Sequence, residues 1–129
     1  MPKVLVADDD PRIRLLVRYV LAAERTWEVL EAANGAAALR LARMARPAVV
    51  LLDVMMPNLS GYEVCRALKA DPRTRGIKVA IVTGEPNAEP QALAAGADRF
   101  LAKPLRPALL LHAVRELFSS GAPTDCGVA

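Results

Sequence analysis

Val49-Val50-Leu51-Leu52-Asp53-Val54-Met55-Met56-Pro57 is an apolar run that ends on a carboxylate and is stopped shortly afterwards by a proline. Four consecutive aliphatic residues without polar alternation fit a strand covered on both faces, as in a parallel sheet. Three further runs repeat the arrangement. Val4-Leu5-Val6-Ala7 leads into Asp8-Asp9-Asp10, Val79-Ala80-Ile81-Val82 into Thr83, and Phe100-Leu101-Ala102 into Lys103-Pro104. If these strands are parallel, their carboxyl ends collect on one edge of a sheet. That edge then holds several carboxylates, a hydroxyl and an ammonium, a set suited to a hard divalent cation and a phosphoryl group.

Working outward, strand-like and helix-like segments alternate five times, which predicts an α/β architecture with a doubly wound parallel sheet. Strands are expected over 3–7, 27–32, 48–53, 77–83 and 99–102. Pro11 suits a first helical position, and Ile13, Leu16, Val17, Val20 and Leu21 recur at helical spacing to about residue 23. Helices are also expected over 36–45, up to about 70, over 90–95 with Gly96 as the stop, and from 106 or 107 to about 118. Right-handed crossovers would put the first and fifth helices on one face and the other three opposite. Ligands of such sheets bind beyond the carboxyl ends of the strands, where the strand order reverses. Asp10, just before Pro11, is expected to cap the first helix. Residues 119–129 show no periodicity, so the expectation is one domain over 1–118 and a flexible tail over 119–129.

Composition narrows the function classes. A chain of 129 residues with 53% hydrophobic residues builds one aliphatic core and is not disordered. The net charge is +3, but Arg12, Arg14, Arg18, Arg40, Arg43 and Arg46 are scattered over expected helices. Aromatics are only 4% of residues and interleave with no basic run, so direct nucleic-acid contact is not expected. Cys65 and Cys126 form neither a disulfide framework nor a metal-ligand pattern; Cys65 is expected to be a small buried residue. No apolar stretch approaches the roughly 20 residues that span a bilayer. Met1-Pro2-Lys3 passes straight into a strand without a signal-peptide core. The expected setting is the cytoplasm, without a membrane partner.

Taken together, Asp8-Asp9, Asp53-Val54-Met55-Met56-Pro57 with Gly61, Thr83-Gly84 and Lys103-Pro104 resemble a receiver domain of the two-component response regulators, close to the chemotaxis regulators, over residues 3–118. The resemblance implies a flavodoxin-like (βα)5 fold with strand order 2-1-3-4-5. It implies that Asp53 is the phosphoacceptor and that Mg2+, or Mn2+ in its place, is held by Asp9 directly and by Asp8 largely through water. Asp53 and the backbone carbonyl of Met55 complete that set, and Lys103 neutralises the phosphoryl oxygens. Thr83 and Phe100 form the switch that re-shapes the face made by helix four, strand five and helix five. The Lys103-Pro104 bond is expected to be cis.

Chemistry supports these roles independently. A carboxylate is ionised at neutral pH and needs no base to attack phosphorus. Three clustered anions raise one another's pKa, a conflict that a divalent cation removes. The implied partners are a histidine kinase or phosphotransfer protein as donor, and a downstream protein or output domain as receiver of the signal. The implied activity is autocatalytic phosphorylation and dephosphorylation only. Pro86 and Pro90 shorten helix four, so a monomer or weak dimer is expected rather than tight dimerisation through that face.

Two rivals stand beside this reading. A degenerate receiver would dock partners without phosphorylation, but such domains usually lose one of the acidic residues, the threonine or the lysine. A haloacid-dehalogenase-like phosphohydrolase would use an Asp-x-Asp motif after strand one, which Asp8-Asp9-Asp10 matches formally. The acidic pair that such an enzyme carries after a late strand is missing. His112 is read as a surface or packing residue of helix five.

Overall fold

All four apolar runs are strands, and each ends beside the residue it was expected to deliver. The computed structural model describes residues 1–121. Along them run β1 (Lys3–Ala7), α1 (Pro11–Ala22), β2 (Glu28–Ala32), α2 (Gly35–Ala45), β3 (Val49–Asp53), α3 (Gly61–Ala70), β4 (Lys78–Thr83), α4 (Glu89–Ala94), β5 (Arg99–Ala102) and α5 (Pro107–Gly121). The strands form one parallel sheet in the order β2-β1-β3-β4-β5. Strand order reverses at β1, so a crevice opens between the ends of β1 and β3.

Alternation along the central strands divides their side chains between two layers. Leu5, Ala7, Val50, Leu52, Val79 and Ile81 pack with Ala38 and Ala42 of α2, Val64, Cys65 and Leu68 of α3, and Ala92 of α4. Val4, Val6, Val49, Leu51, Ala80 and Val82 pack on the other face with Val17 and Leu21 of α1 and Leu110 and Val114 of α5. Each wholly buried aliphatic side chain contributes about 1.5–3 kcal/mol. The helices divide between the faces as the crossover rule required.

Helix ends follow local chemistry. Asp10 accepts a hydrogen bond from the Arg12 N–H (2.9 Å) and caps α1, with Pro11 at the first helical position. Asn34 accepts from the Ala37 N–H (2.8 Å) at the start of α2. Ser60 and Glu63 form a reciprocal capping box that fixes the start of α3. α4 is only six residues long and has no side-chain cap. Gly96, at φ +95°, supplies the left-handed turn that ends it.

One boundary differs substantively. α5 runs to Gly121, past the expected end near residue 118, so residues 119–121 are helix rather than tail. Phe118 packs edge-on against Trp27 (centroids 5.2 Å apart, planes at 89°), and the Ser120 hydroxyl donates to the Leu117 carbonyl (3.1 Å). A tertiary contact and a side-chain bond hold a last turn that has no apolar periodicity. The remainder of the expected tail, with Cys126, lies outside the described residues.

Cys65 is fully buried, and burial pushes its thiol pKa up to about 11. The thiolate is the reactive form, so Cys65 should be inert to alkylation near neutral pH while the fold is intact. In a Cys126→Ser variant, a thiol reagent is expected to label nothing in buffer and one site in denaturant. Rapid labelling of the native variant would contradict this packing.

Candidate functional site at the carboxyl edge of the sheet

Register brings the strand ends level. Ala7 lies opposite Leu52, Asp53 opposite Val82, and Thr83 opposite Ala102. Asp8 and Lys103 each follow one step beyond a paired residue. Lys103 N–H donates to the Thr83 carbonyl (3.0 Å), which fixes the start of the β5–α5 loop. From there the Lys103 Nζ donates to Asp8 Oδ2 at 2.9 Å and to Asp53 Oδ1 at 3.2 Å. The Lys103-Pro104 peptide is cis.

The loops that follow Asp8 and Asp53 are each fixed by local hydrogen bonds. The other oxygen of Asp8, Oδ1, accepts from the Asp10 N–H (2.9 Å). Arg14, assigned from sequence only to a solvated helix surface, donates from Nη1 to the Asp8 backbone carbonyl (2.7 Å) and from Nε to Glu31 (3.0 Å). It buttresses the β1–α1 turn, a role that depends on β2 lying beside β1 and that no motif signals. Behind Asp53, the Val54 carbonyl accepts from both Met56 N–H (3.2 Å) and Gly61 N–H (3.1 Å). The loop folds back so tightly that a Cβ on Gly61 would lie 2.2 Å from the Asp53 carbonyl oxygen. Glycine at 61 is therefore a requirement of the close approach.

Asp8 is 2% exposed and Asp53 5%, whereas Asp9 faces solvent. One oxygen from each of Asp8, Asp9 and Asp53 lies within 4.8 Å of the others. Two buried carboxylates at that separation repel by about 3.5 kcal/mol at an effective dielectric near 20. Burial first, and the charge of Asp8 second, push the Asp53 carboxyl pKa above its usual value, against the pull of Lys103. For Lys103, burial works against the charge, but the Asp8 hydrogen bond and the attraction of Asp53 and Asp8 prevail and hold its pKa above normal. A raised carboxyl pKa means that ionising Asp53 weakens the fold as pH rises through that value. A cation bound there would offset this cost.

The donor set fits a hard divalent cation. All its atoms are carboxylate oxygens, and three carboxylates with one ammonium leave a formal charge of −2. The Met55 side chain is exposed, and both N–H donors of the local turn use the Val54 carbonyl rather than that of Met55. Asp10 stands outside the carboxylate group: it caps α1 and is gripped by the Arg12 guanidinium (3.1 and 3.0 Å). That leaves it spent as a second acid beside Asp8.

Thr83 is buried, and its Oγ1 accepts from the Glu85 N–H (3.2 Å). Phe100 sits opposite Ile81 and packs, half-buried, on the layer of α2, α3 and α4. Asp8 and Asp53 line the small cavity on the other layer with Ile13, Val17 and Leu51. His112 lies on the surface with its Nε2 3.2 Å from Glu116 one turn on.

Comparisons with known proteins agree with this geometry. The family model of the response regulator receiver domain matches residues 4–115. The response regulator PleD of Caulobacter vibrioides is 41% identical over 118 residues, which are 89% of this chain and 26% of PleD. The DNA-binding dual master transcriptional regulator RpaA of Synechocystis is 36% identical over 119 residues, 91% of this chain and 49% of RpaA. The chain thus spans about a quarter to a half of the length of these curated relatives. Among solved structures, the receiver domain of sensor histidine kinase PA1611 from Pseudomonas aeruginosa superposes with a TM-score of 0.84 at 26% identity, covering 92% of this chain and 98% of that one. That receiver has a magnesium ion coordinated in its active-site cleft. With its five parallel strands in the order 2-1-3-4-5 and its matched residues 4–115, the chain belongs to the response regulator receiver domains of two-component systems.

Proposed function

We propose that this receiver accepts a phosphoryl group on Asp53 from a histidine kinase or a phosphotransfer protein. The observation that carries the reading is the Lys103 ammonium, bonded at once to Asp8 and Asp53 at the mouth of an acidic site. An Asp53 carboxylate oxygen attacks the phosphorus of a phosphohistidine, an O–P bond forms, and the N–P electron pair returns to the donor imidazole. Lys103 exchanges its bond to Asp53 for one to a phosphoryl oxygen and stabilises the charge that spreads over the equatorial oxygens. Asp9, Asp53 and the Met55 carbonyl would hold Mg2+ directly and Asp8 largely through water, with Mn2+ as a substitute of the same donor preference. When bound, the cation neutralises the acidic cluster and orients the phosphoryl oxygens.

The chain's chemistry on this reading is limited to its own phosphorylation and dephosphorylation. A degenerate, non-phosphorylated docking role is the weaker alternative, because Asp8, Asp9, Asp53, Thr83 and Lys103 are all present at the same edge.

Signal output follows from the second layer. Thr83 turns its hydroxyl from Glu85 N–H to the phosphoryl group, the Gly84 loop follows, and Phe100 moves inward from its half-buried position. The face of α4, β5 and α5 changes shape and is read by a downstream protein or an output domain. We expect no direct nucleic-acid contact from this domain, in which Arg14 and Arg18 pair with Glu31, and Arg115 with Glu24. RpaA shows that relatives can be DNA-binding proteins as wholes. No helix among the described residues is long and apolar enough to cross a membrane, and we place the protein in the cytoplasm. The six-residue α4 supports a monomer or weak dimer.

Treatment with acetyl phosphate and Mg2+, followed by mass spectrometry, is expected to add one phosphoryl group to the wild type and none to Asp53→Asn. Equal labelling of the two proteins would refute the assignment. For the switch, Phe100→Ala is expected to be phosphorylated normally and to lose most of the phosphorylation-dependent gain in partner affinity. An unchanged gain would remove Phe100 from the mechanism.

A further inference from the structure

The Tyr62 hydroxyl is buried and has no hydrogen-bond partner among the described residues. A buried O–H left unpaired costs on the order of a lost hydrogen bond, so such a group in a native fold calls for a reason. Tyr62 stands in the first turn of α3, next to Gly61, where the chain packs against the Asp53 backbone. Its ring packs on the same layer as Phe100. Phe100 brings no hydroxyl of its own to that layer. Glu85 follows the end of β4, the strand paired with β3, and Gly61 beside Tyr62 packs on the end of β3. In keeping with that neighbourhood, burial first and then the negative charge of Glu85 raise the Tyr62 pKa.

Glu85 belongs to the exposed segment Gly84–Asn87, between buried Thr83 and buried Ala88. The segment has room at Gly84. A Cβ on Gly84 would meet only the Lys103 Cβ, at 3.7 Å, and Asn87 occupies the left-handed region at φ +60°. In this state the loop is tied to Thr83 through the Glu85 N–H bond to Oγ1 (3.2 Å). A Thr83 side chain that rotates toward a phosphoryl group draws Oγ1 away from the Glu85 N–H and frees the loop to move with Glu85.

We propose that Tyr62 is a positioning residue of the phosphorylated state, whose hydroxyl donates to the Glu85 carboxylate once the β4–α4 loop has closed over Asp53. The unpaired phenol of the resting state is then satisfied only after the switch. A charge-assisted bond made in one state alone shifts the equilibrium toward that state by about tenfold or more. The inference rests on the phosphoacceptor reading above and deepens it.

The test uses beryllofluoride with Mg2+ as the phosphoryl probe and the Gly84 amide signal as the reporter of loop closure. In Tyr62→Phe, half-maximal closure is expected to need about tenfold more beryllofluoride than in wild type. The melting temperature of the free protein should be unchanged or higher. In a Glu85→Ala background, Tyr62→Phe should add nothing further. The proposal is overturned by a wild-type midpoint in Tyr62→Phe, by the same loss in the Glu85→Ala background, or by a lower melting temperature of free Tyr62→Phe. If beryllofluoride moves no Gly84 signal in the wild type, the phosphoacceptor reading itself fails and takes this inference with it.

Discussion

One ammonium organises the functional edge. Lys103 leaves the end of β5 and bonds carboxylates that belong to β1 and β3. β4 lies between β5 and β3, so lysine and carboxylates together bridge two strand spacings to Asp53, on the order of 10 Å, and three to Asp8. Its stem runs beside Gly84, where no side chain stands in the way. The arrangement demands that four strands stop at the same level, and the parallel register supplies that condition. Removing the ammonium would leave two nearly buried carboxylates facing each other, a loss of up to about 3–5 kcal/mol. On the proposed function, the same pairing holds the ammonium beside the carboxylate that would take the phosphoryl group.

Strand parity sorts the edge into two compartments. Asp8 and Asp53 line a cavity with Ile13, Val17 and Leu51, on the layer of α1 and α5. Phe100 and Tyr62 pack on the layer of α2, α3 and α4. Thr83 closes β4 between them and holds the Glu85 N–H, which on the proposed function makes it the link between Asp53 and the other layer. A further polar clasp braces the opposite side of that layer: Lys69 donates to Asp98 (2.8 Å) and to the Ile77 carbonyl (2.7 Å), while Asp98 accepts from the Val79 N–H (2.8 Å). It ties the end of α3 to the starts of β4 and β5.

Much of this could be read from the chain because the signals are short-range or periodic. Uninterrupted Val and Leu runs identify strands buried on both faces, and a polar residue at the end of each run can only emerge at the sheet edge. Pro11 and Gly96 mark helix ends by backbone chemistry, and Asp10 by its cap, none of which needs tertiary context. What stayed hidden depends on non-local contact. The last turn of α5 is held by Phe118 on Trp27, residues that sequence distance does not connect. Arg14 looks like any exposed helical arginine until β2 brings Glu31 beside it and the Asp8 carbonyl comes within 2.7 Å. Tyr62 looks like an ordinary aromatic of an amphipathic helix, and only its packed position reveals an unpaired hydroxyl.

Binding of Mg2+ to the unphosphorylated protein, followed residue by residue through backbone amide resonances, tests most directly whether these distant segments make one cation site. Convergence of residues 8, 9, 53 and 103 predicts a saturable single-site titration. Its largest shifts should lie at residues 8–10, 53–56 and 103, and Asp9→Asn should weaken it sharply. Shifts that scatter over the surface acids, or that grow linearly without saturating, would contradict the account.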